Sequence, residues 1–206
     1  MKYISTLAFL VCFLVSLVGQ DYSKFGIDQS SSDLSPLELG TTAPTFKGVD
    51  QNGQTVSLAQ LNEDGPVLVV FYRGYWCGIC QRSLLEFQEE FSTLSSAGVQ
   101  VVAIAPEVEA NIKKTVENNN LEFPVIADSD NSIMKSYQVA FNVTQEYQDK
   151  VLKYKGTTLA EINGQQNAIL PIPATYLIGK DGTIKYVHYD PDYSKRATLS
   201  DILAAL

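Results

Sequence analysis

The sequence predicts an α/β domain, with a central mixed sheet flanked by helices, and three features carry that expectation. The uninterrupted, β-branched run Val67-Leu-Val-Val-Phe71 has the composition of a strand buried on both faces of a sheet. It leads directly to Cys77 and Cys80 and then into an apolar stripe at helical spacing, Leu84, Leu85, Phe87, Phe91 and Leu94, closed by Gly98. Further on, Gly179-Lys-Asp-Gly182 separates two more apolar runs, and its Asp-Gly is a hairpin signal, so an antiparallel pair completes the sheet.

From the start of the chain, Met1-Lys2-Tyr3, an apolar run over 4–18 and the exit Gly19-Gln20-Asp21 follow the pattern of a signal peptide over 1–19. The run is shorter than the ~20 residues that span a bilayer, so the expectation is export to a periplasmic or extracellular space with no stable membrane insertion. Cys12 lies inside the run and leaves with it. Residues 20–36 are rich in Ser and Asp and read as a flexible tether. Residues 37–206 suffice for one packed core and contain no internal repeat.

Within that domain, 99–105 reads as a second buried strand, 107–118 as a polar helix ended by asparagines, and 123–127 as a third strand. This βαβαβ order implies right-handed crossovers and a parallel sheet at that end. A short helix is expected over 132–137. Residues 142–167 mix Tyr, Lys and Gly without a period and read as a surface insertion beside the cysteines. The strands at 175–178 and 183–189 form the hairpin, and Thr198 or Ser200 caps a last helix whose apolar face is Leu199, Ile202, Leu203 and Leu206.

A formal charge of −8 makes nucleic acid an improbable partner. With Cys12 removed, Cys77 and Cys80 are the last two thiols. As a structural staple they are poor, because closing so short a loop yields only about 2 kcal/mol against about 4.7 for a 100-residue loop. Zinc needs further ligands, and the chain left after removal of residues 1–19 has one histidine and no cysteine beyond this pair, so no metal or cofactor is expected. Redox chemistry is the better explanation. Where a strand turns into a helix, unpaired N–H groups and the helix dipole favour the thiolate, and Cys77 stands at that point. Cys80 lies one helical turn on, on the same face, so the two sulfurs can meet. Arg73 and Arg82 flank the pair as possible sources of positive potential, while Trp76 and Tyr75 form an aromatic rim. His188, on an expected strand, is read as structural.

Three segments, Phe71-Tyr-Arg-Gly-Tyr-Trp-Cys-Gly-Ile-Cys80, Pro171-Ile-Pro-Ala-Thr-Tyr-Leu-Ile178 and Tyr189-Asp-Pro-Asp-Tyr-Ser-Lys-Arg196, closely resemble peroxiredoxin-like proteins of the alkyl hydroperoxide reductase/thiol-specific antioxidant family. The resemblance implies a thioredoxin-like fold with a peroxiredoxin-type N-terminal extension, here Phe46-Lys-Gly-Val49 and Val56-Ser-Leu58 around Asn52-Gly53. It also implies a Cys77/Cys80 redox disulfide, a hydroperoxide substrate and a thioredoxin-like dithiol donor. Against the family's Pro-x-x-x-Thr-x-x-Cys loop, Arg73 stands at the Pro, Cys77 at the Thr and Cys80 at the peroxidatic Cys. The family's later arginine falls at Pro173. Ile172-Pro173 instead resembles the cis-proline element of thioredoxin-like disulfide oxidoreductases, so a cis bond against the cysteine turn is expected. Hydroperoxide reduction is therefore the leading expectation. Exchange with protein disulfides is the alternative, and a non-catalytic binding domain is a third.

Overall fold

The computed structural model describes residues 21–30 and 34–206, so the expected signal peptide and Cys12 lie outside the described residues. A five-stranded sheet has the order β5-β4-β3-β8-β9, from Val125–Ala127, Gln100–Ala105, Val67–Phe71, Ala174–Ile178 and Ile184–Tyr189. β3 pairs in parallel with β4 and antiparallel with β8. All five residues of β3 are buried: Val67, Val69 and Phe71 enter one apolar cluster, and Leu68 and Val70 enter the cluster on the opposite face. Period-two alternation thus feeds two cores at once, which is why the run is apolar throughout.

Helices cover both faces. α1 (Leu58–Asp64) follows the hairpin of β1 (Lys47–Val49) and β2 (Thr55–Ser57), the expected N-terminal extension. The stripe after the cysteines, expected as one helix, forms α2 (Gly78–Glu89) and α3 (Phe91–Ser96) with a break at Glu90. Its apolar side chains Leu84, Phe87 and Leu94 still share one cluster. α4 (Glu109–Asn119) ends at Asn120 in the left-handed conformation, and α5 (Ser132–Ser136) and α8 (Leu199–Ala204) lie where expected. Thr198 caps α8 by accepting from the Asp201 N–H. No helix among the described residues is long and apolar enough to cross a membrane.

Three sequence expectations are modified here. The unassigned stretch contains two helices, α6 (Gln145–Lys155) and α7 (Leu159–Asn163), which leave and rejoin a small antiparallel pair, β6 (Ala140–Asn142) and β7 (Ile169–Pro171). The tether expectation fails over 21–30, because Ile27 is buried and bridges Val143, and Gly26 accepts from the Thr144 N–H. One buried isoleucine and this backbone pairing hold a segment whose composition alone suggests mobility. The Ile172–Pro173 bond is trans, as is every peptide bond among the described residues. β7 leads into β8 across only Ile172 and Pro173, and the Ile172 N–H donates to the Val139 carbonyl at 2.7 Å. The isomer is the one ordinarily preferred before proline, here at the start of a strand.

Candidate active site

β3, β4 and β9 all point their C-terminal ends to one edge, since β9 is antiparallel to β8 and β8 to β3. Three connections therefore converge there: 72–77, Pro106-Glu107-Val108, and 190–198. Gly74 makes the first possible. Its φ of 141° lies in the region that disfavours side chains, and a Cβ there would stand 2.6 Å from both Glu107 Oε1 and Trp76 Nε1. Beyond this turn Cys77 is the N-cap of α2, and its Sγ accepts from the Cys80 N–H at 3.3 Å. The two cysteines form a disulfide with Cα atoms 5.2 Å apart, an ordinary span.

Arg73 is only 3 % exposed, and its Nη2 sits 3.2 Å from Cys77 Sγ. Its Nη1 donates to the Tyr147 hydroxyl at 2.8 Å, and its guanidinium lies 3.7 Å from the ring centre of Tyr193, with the Trp76 ring at 5.4 Å. No carboxylate pairs with it among the described residues. Aromatic faces offset part of the cost of burying such a cation, and a thiolate on Cys77 would supply the missing counter-charge. The N-terminal segment supports this box, for Phe25 packs edge-on against Tyr193 and Gly26 lies against the Tyr147 ring.

The two sulfurs face different surroundings. Cys77 lies on the wall of an open cavity of about 340 Å³, shared with Trp76, Ile79, Tyr147, Val151 and Tyr154. Both cysteines are buried, Cys77 at 3 % and Cys80 at 1 % exposed, but Cys80 lines a space of only about 10 Å³ with Ser83, Pro173, Thr175 and Arg196. Pro173 thus shares the small space beside Cys80, with a trans bond before it instead of the expected cis one. Arg196 Nη2 stands 3.8 Å from Cys80 Sγ. Arg82, the other candidate cation, is exposed. His188 lies opposite Thr175 on β9, and no hydrogen bond joins it to either sulfur among the described residues. Burial holds its pKa below the usual 6.5.

The chain matches the AhpC/TSA family over residues 39–187. It belongs to that family. Among curated relatives, a thiol-disulfide oxidoreductase ResA of Bacillus thuringiensis subsp. konkukian is 30% identical over 131 residues, covering 63% of this chain and 72% of the relative. A putative chloroplastic peroxiredoxin Q of Oryza sativa subsp. indica is 26% identical over 152 residues, covering 74% and 59% respectively. In fold, the chain superposes on peroxidoxin BcpB of Mycobacterium tuberculosis with a TM-score of 0.64 at 18% identity, covering 82% of this chain and 96% of the other. A peroxiredoxin-like protein from Aquifex aeolicus gives 0.64 at 18% identity, covering 84% and 89%. The protein is thus a thioredoxin-fold oxidoreductase of the AhpC/TSA family with a close cysteine pair.

A residue that the sequence reading passed over also shapes this AhpC/TSA site. Glu107 is fully buried just after β4, and both its carboxyl oxygens accept from the Tyr75 N–H at 2.9 Å, fixing the loop that carries Arg73 and Trp76. Burial pushes its pKa up to about 8 from 4.5, with the Tyr75 bond and Lys114 pulling it down. Between those two pH values the folded protein holds a proton that the unfolded chain has released, so stability falls as pH rises through the window. Glu107→Gln keeps an acceptor and removes the charge. At pH 9 it should be more stable than the parent by on the order of 2 kcal/mol, with little difference at pH 4.5, as read by urea unfolding at both pH values.

Proposed function

We propose that this protein is an exported thiol peroxidase. Cys77 reduces a hydroperoxide, Cys80 closes the disulfide, and a thioredoxin-like dithiol donor reopens it. The observation that carries this reading is the buried Arg73 guanidinium, unpaired by any carboxylate and 3.2 Å from Cys77 Sγ. A cation fixed on an attacking sulfur lowers its pKa but also its intrinsic nucleophilicity, so it gains little in exchange with a remote disulfide, where charge moves away onto another sulfur. In attack on an O–O bond the shorter bonds keep the leaving oxygen nearer the attacking sulfur than the leaving sulfur of a disulfide would be, and the oxygen departs as a more basic anion. The same guanidinium then stays close to the charge from thiolate to transition state.

The cycle balances with these groups alone. The Cys77 thiolate attacks one peroxide oxygen, the O–O bond breaks, and the departing hydroxide or alkoxide takes a proton from solvent, leaving Cys77 as sulfenic acid. The Cys80 thiol condenses with it, forming the disulfide and releasing water. Two donor thiols then reduce the disulfide and are themselves oxidised to one. Export rests on the charged start and apolar run of residues 1–19.

A second reading, exchange with protein disulfides, is favoured by the cavity beside Cys77. Its volume of about 340 Å³ and the 81 % exposed Tyr154 suit a peptide segment as well as an organic hydroperoxide. The similarity to ResA points the same way. Rapid mixing of the reduced protein with hydrogen peroxide, cumene hydroperoxide and an oxidised model protein separates the two. Peroxidase function requires at least about a hundredfold acceleration over a free thiolate, about 2.7 kcal/mol off the barrier. Peroxide rates no better than a free thiolate, alongside fast oxidation by the protein disulfide, would replace the peroxidase with the oxidoreductase.

A further inference from the structure

Each sulfur of the pair has its own arginine, and only the first serves the oxidation step described above. Arg196 comes from the connection after β9, far from Cys80 in sequence, and places Nη2 3.8 Å from Cys80 Sγ. Its loop is held in place from several sides. Asp192 accepts from the Ser194 hydroxyl and N–H, Lys195 pairs with Asp190 at 2.9 Å, and Tyr193 lies on the Arg73 guanidinium. Thr198 then anchors the exit by capping α8.

No carboxylate lies within ion-pair distance of Arg196 among the described residues. Burial and the neighbouring positive charge of Arg73 depress its pKa to about 10, while Glu86, which lines a cavity with Arg196, and Asp192 pull the other way. In the disulfide form the two guanidiniums thus face neutral sulfur. Opening the disulfide delivers the anion they lack.

The direction of opening follows from access. A donor thiolate must approach in line with the S–S bond, and the open cavity reaches Cys77, whereas Cys80 borders only about 10 Å³. Attack at Cys77 makes Cys80 the leaving group, and a leaving thiol of lower pKa departs faster. Burial alone would raise the pKa of Cys80 and make it a poor leaving group.

We propose that Arg196 is a catalytic residue of the reductive half of the cycle, holding Cys80 as the thiolate that departs when a donor opens the disulfide at Cys77. The donor thiolate bonds to Cys77 Sγ, the S–S bond breaks, and its electron pair remains on Cys80 opposite the guanidinium. The donor's second thiol, as thiolate, attacks the donor sulfur of the mixed disulfide and expels Cys77 as thiolate towards Arg73. This rests on Cys77 and Cys80 being the redox pair, but not on which oxidant forms their disulfide.

Dithiothreitol is the probe, on the full oxidised chain and its Arg196→Gln and Arg196→Lys variants. Reduction of Arg196→Gln should be slower by about tenfold, and Arg196→Lys, which keeps the charge, should recover much of the rate. In Cys77→Ser, thiolate absorbance should show Cys80 titrating below the ordinary value of about 8.5, and adding Arg196→Gln should raise it by about one unit or more. Reduction of Arg196→Gln at the parent rate overturns the proposal. So does a Cys80 pKa at or above the ordinary value with Arg196 in place, a measurement that decides the matter even if Arg196→Gln fails to fold. Neither measurement uses a peroxide, so both outcomes stand apart from failure of the peroxidase reading.

Discussion

Replacing Arg73 by methionine should slow oxidation of Cys77 by hydroperoxide by on the order of a hundredfold to a thousandfold, the loss typical of removing one preorganised donor from a developing oxyanion. Two effects combine. The Cys77 thiolate loses its nearest cation, Nη2 at 3.2 Å, and the departing oxygen loses the same partner. In Cys80→Ser, where Cys77 titrates alone, the pKa of Cys77 should rise on adding Arg73→Met, and the pH profile of oxidation should move upward with it. Stability should not follow activity. Arg73 is buried without a carboxylate, and methionine removes the desolvation cost while filling much of the volume between Tyr147, Tyr193 and Trp76. A variant that melts at or above the parent temperature yet oxidises slowly establishes Arg73 as catalytic. One that oxidises at the parent rate shows that its contact with Cys77 does not drive the reaction. Arg73→Lys should fall between the two, because an ammonium keeps the charge but cannot reach Cys77 and Tyr147 with a planar fork.

The sheet was largely legible in the sequence because its signals are local. Val67–Phe71 needs no partner to be recognised as a doubly buried strand, and Asp181-Gly182 marks the hairpin of β8 and β9. Cys77, Cys80, Arg73 and Trp76 are singled out by their places after the strand end and Pro173 by the family resemblance; the first cysteine shares a cavity with Arg73 and Trp76, the second a smaller space with Pro173. What escaped is what only topology brings near. Tyr147 lies in a helix whose weak apolar pattern gives no warning of a role, and Glu107 is an ordinary acidic residue until its surroundings are closed. Arg82 was a reasonable candidate by proximity in sequence, but its position on α2 turns it to solvent, whereas Arg196 arrives across the sheet. One signal was available. The hairpin returns β9 parallel to β3, so the loop after β9 must emerge at the cysteine edge and carry Tyr193 and Arg196 there. The expectation of a cis proline rests on the resemblance to thioredoxin-like oxidoreductases, whereas the trans bond is what an ordinary proline at the start of a strand adopts.

The two cysteines should differ most sharply when each is left alone. Cys77→Ser removes the sulfur that lines the open cavity and contacts Arg73, and it should abolish turnover with peroxide and with protein disulfides. The remaining Cys80 lines a space of about 10 Å³, too small for an organic hydroperoxide or a peptide. Its thiolate, though favoured by Arg196, is denied a substrate. Cys80→Ser should behave in the opposite way: Cys77 keeps its N-cap position, the Arg73 contact and the cavity, so the first oxidation proceeds at close to the parent rate and then stops. Without a second thiol the sulfenic acid persists, and mass spectrometry after one equivalent of peroxide should find a single added oxygen on Cys77, or a stable mixed disulfide when a thiol partner is present. The family alignment, which puts Cys80 at the peroxidatic position, predicts the reverse. Oxygen found on Cys80 in Cys77→Ser, formed as fast as in the parent, would show that hydrogen peroxide reaches the buried sulfur and that Arg196 rather than Arg73 serves the oxidation. The accessible volumes and the helix cap both favour Cys77, because a thiolate must meet its substrate before its pKa matters.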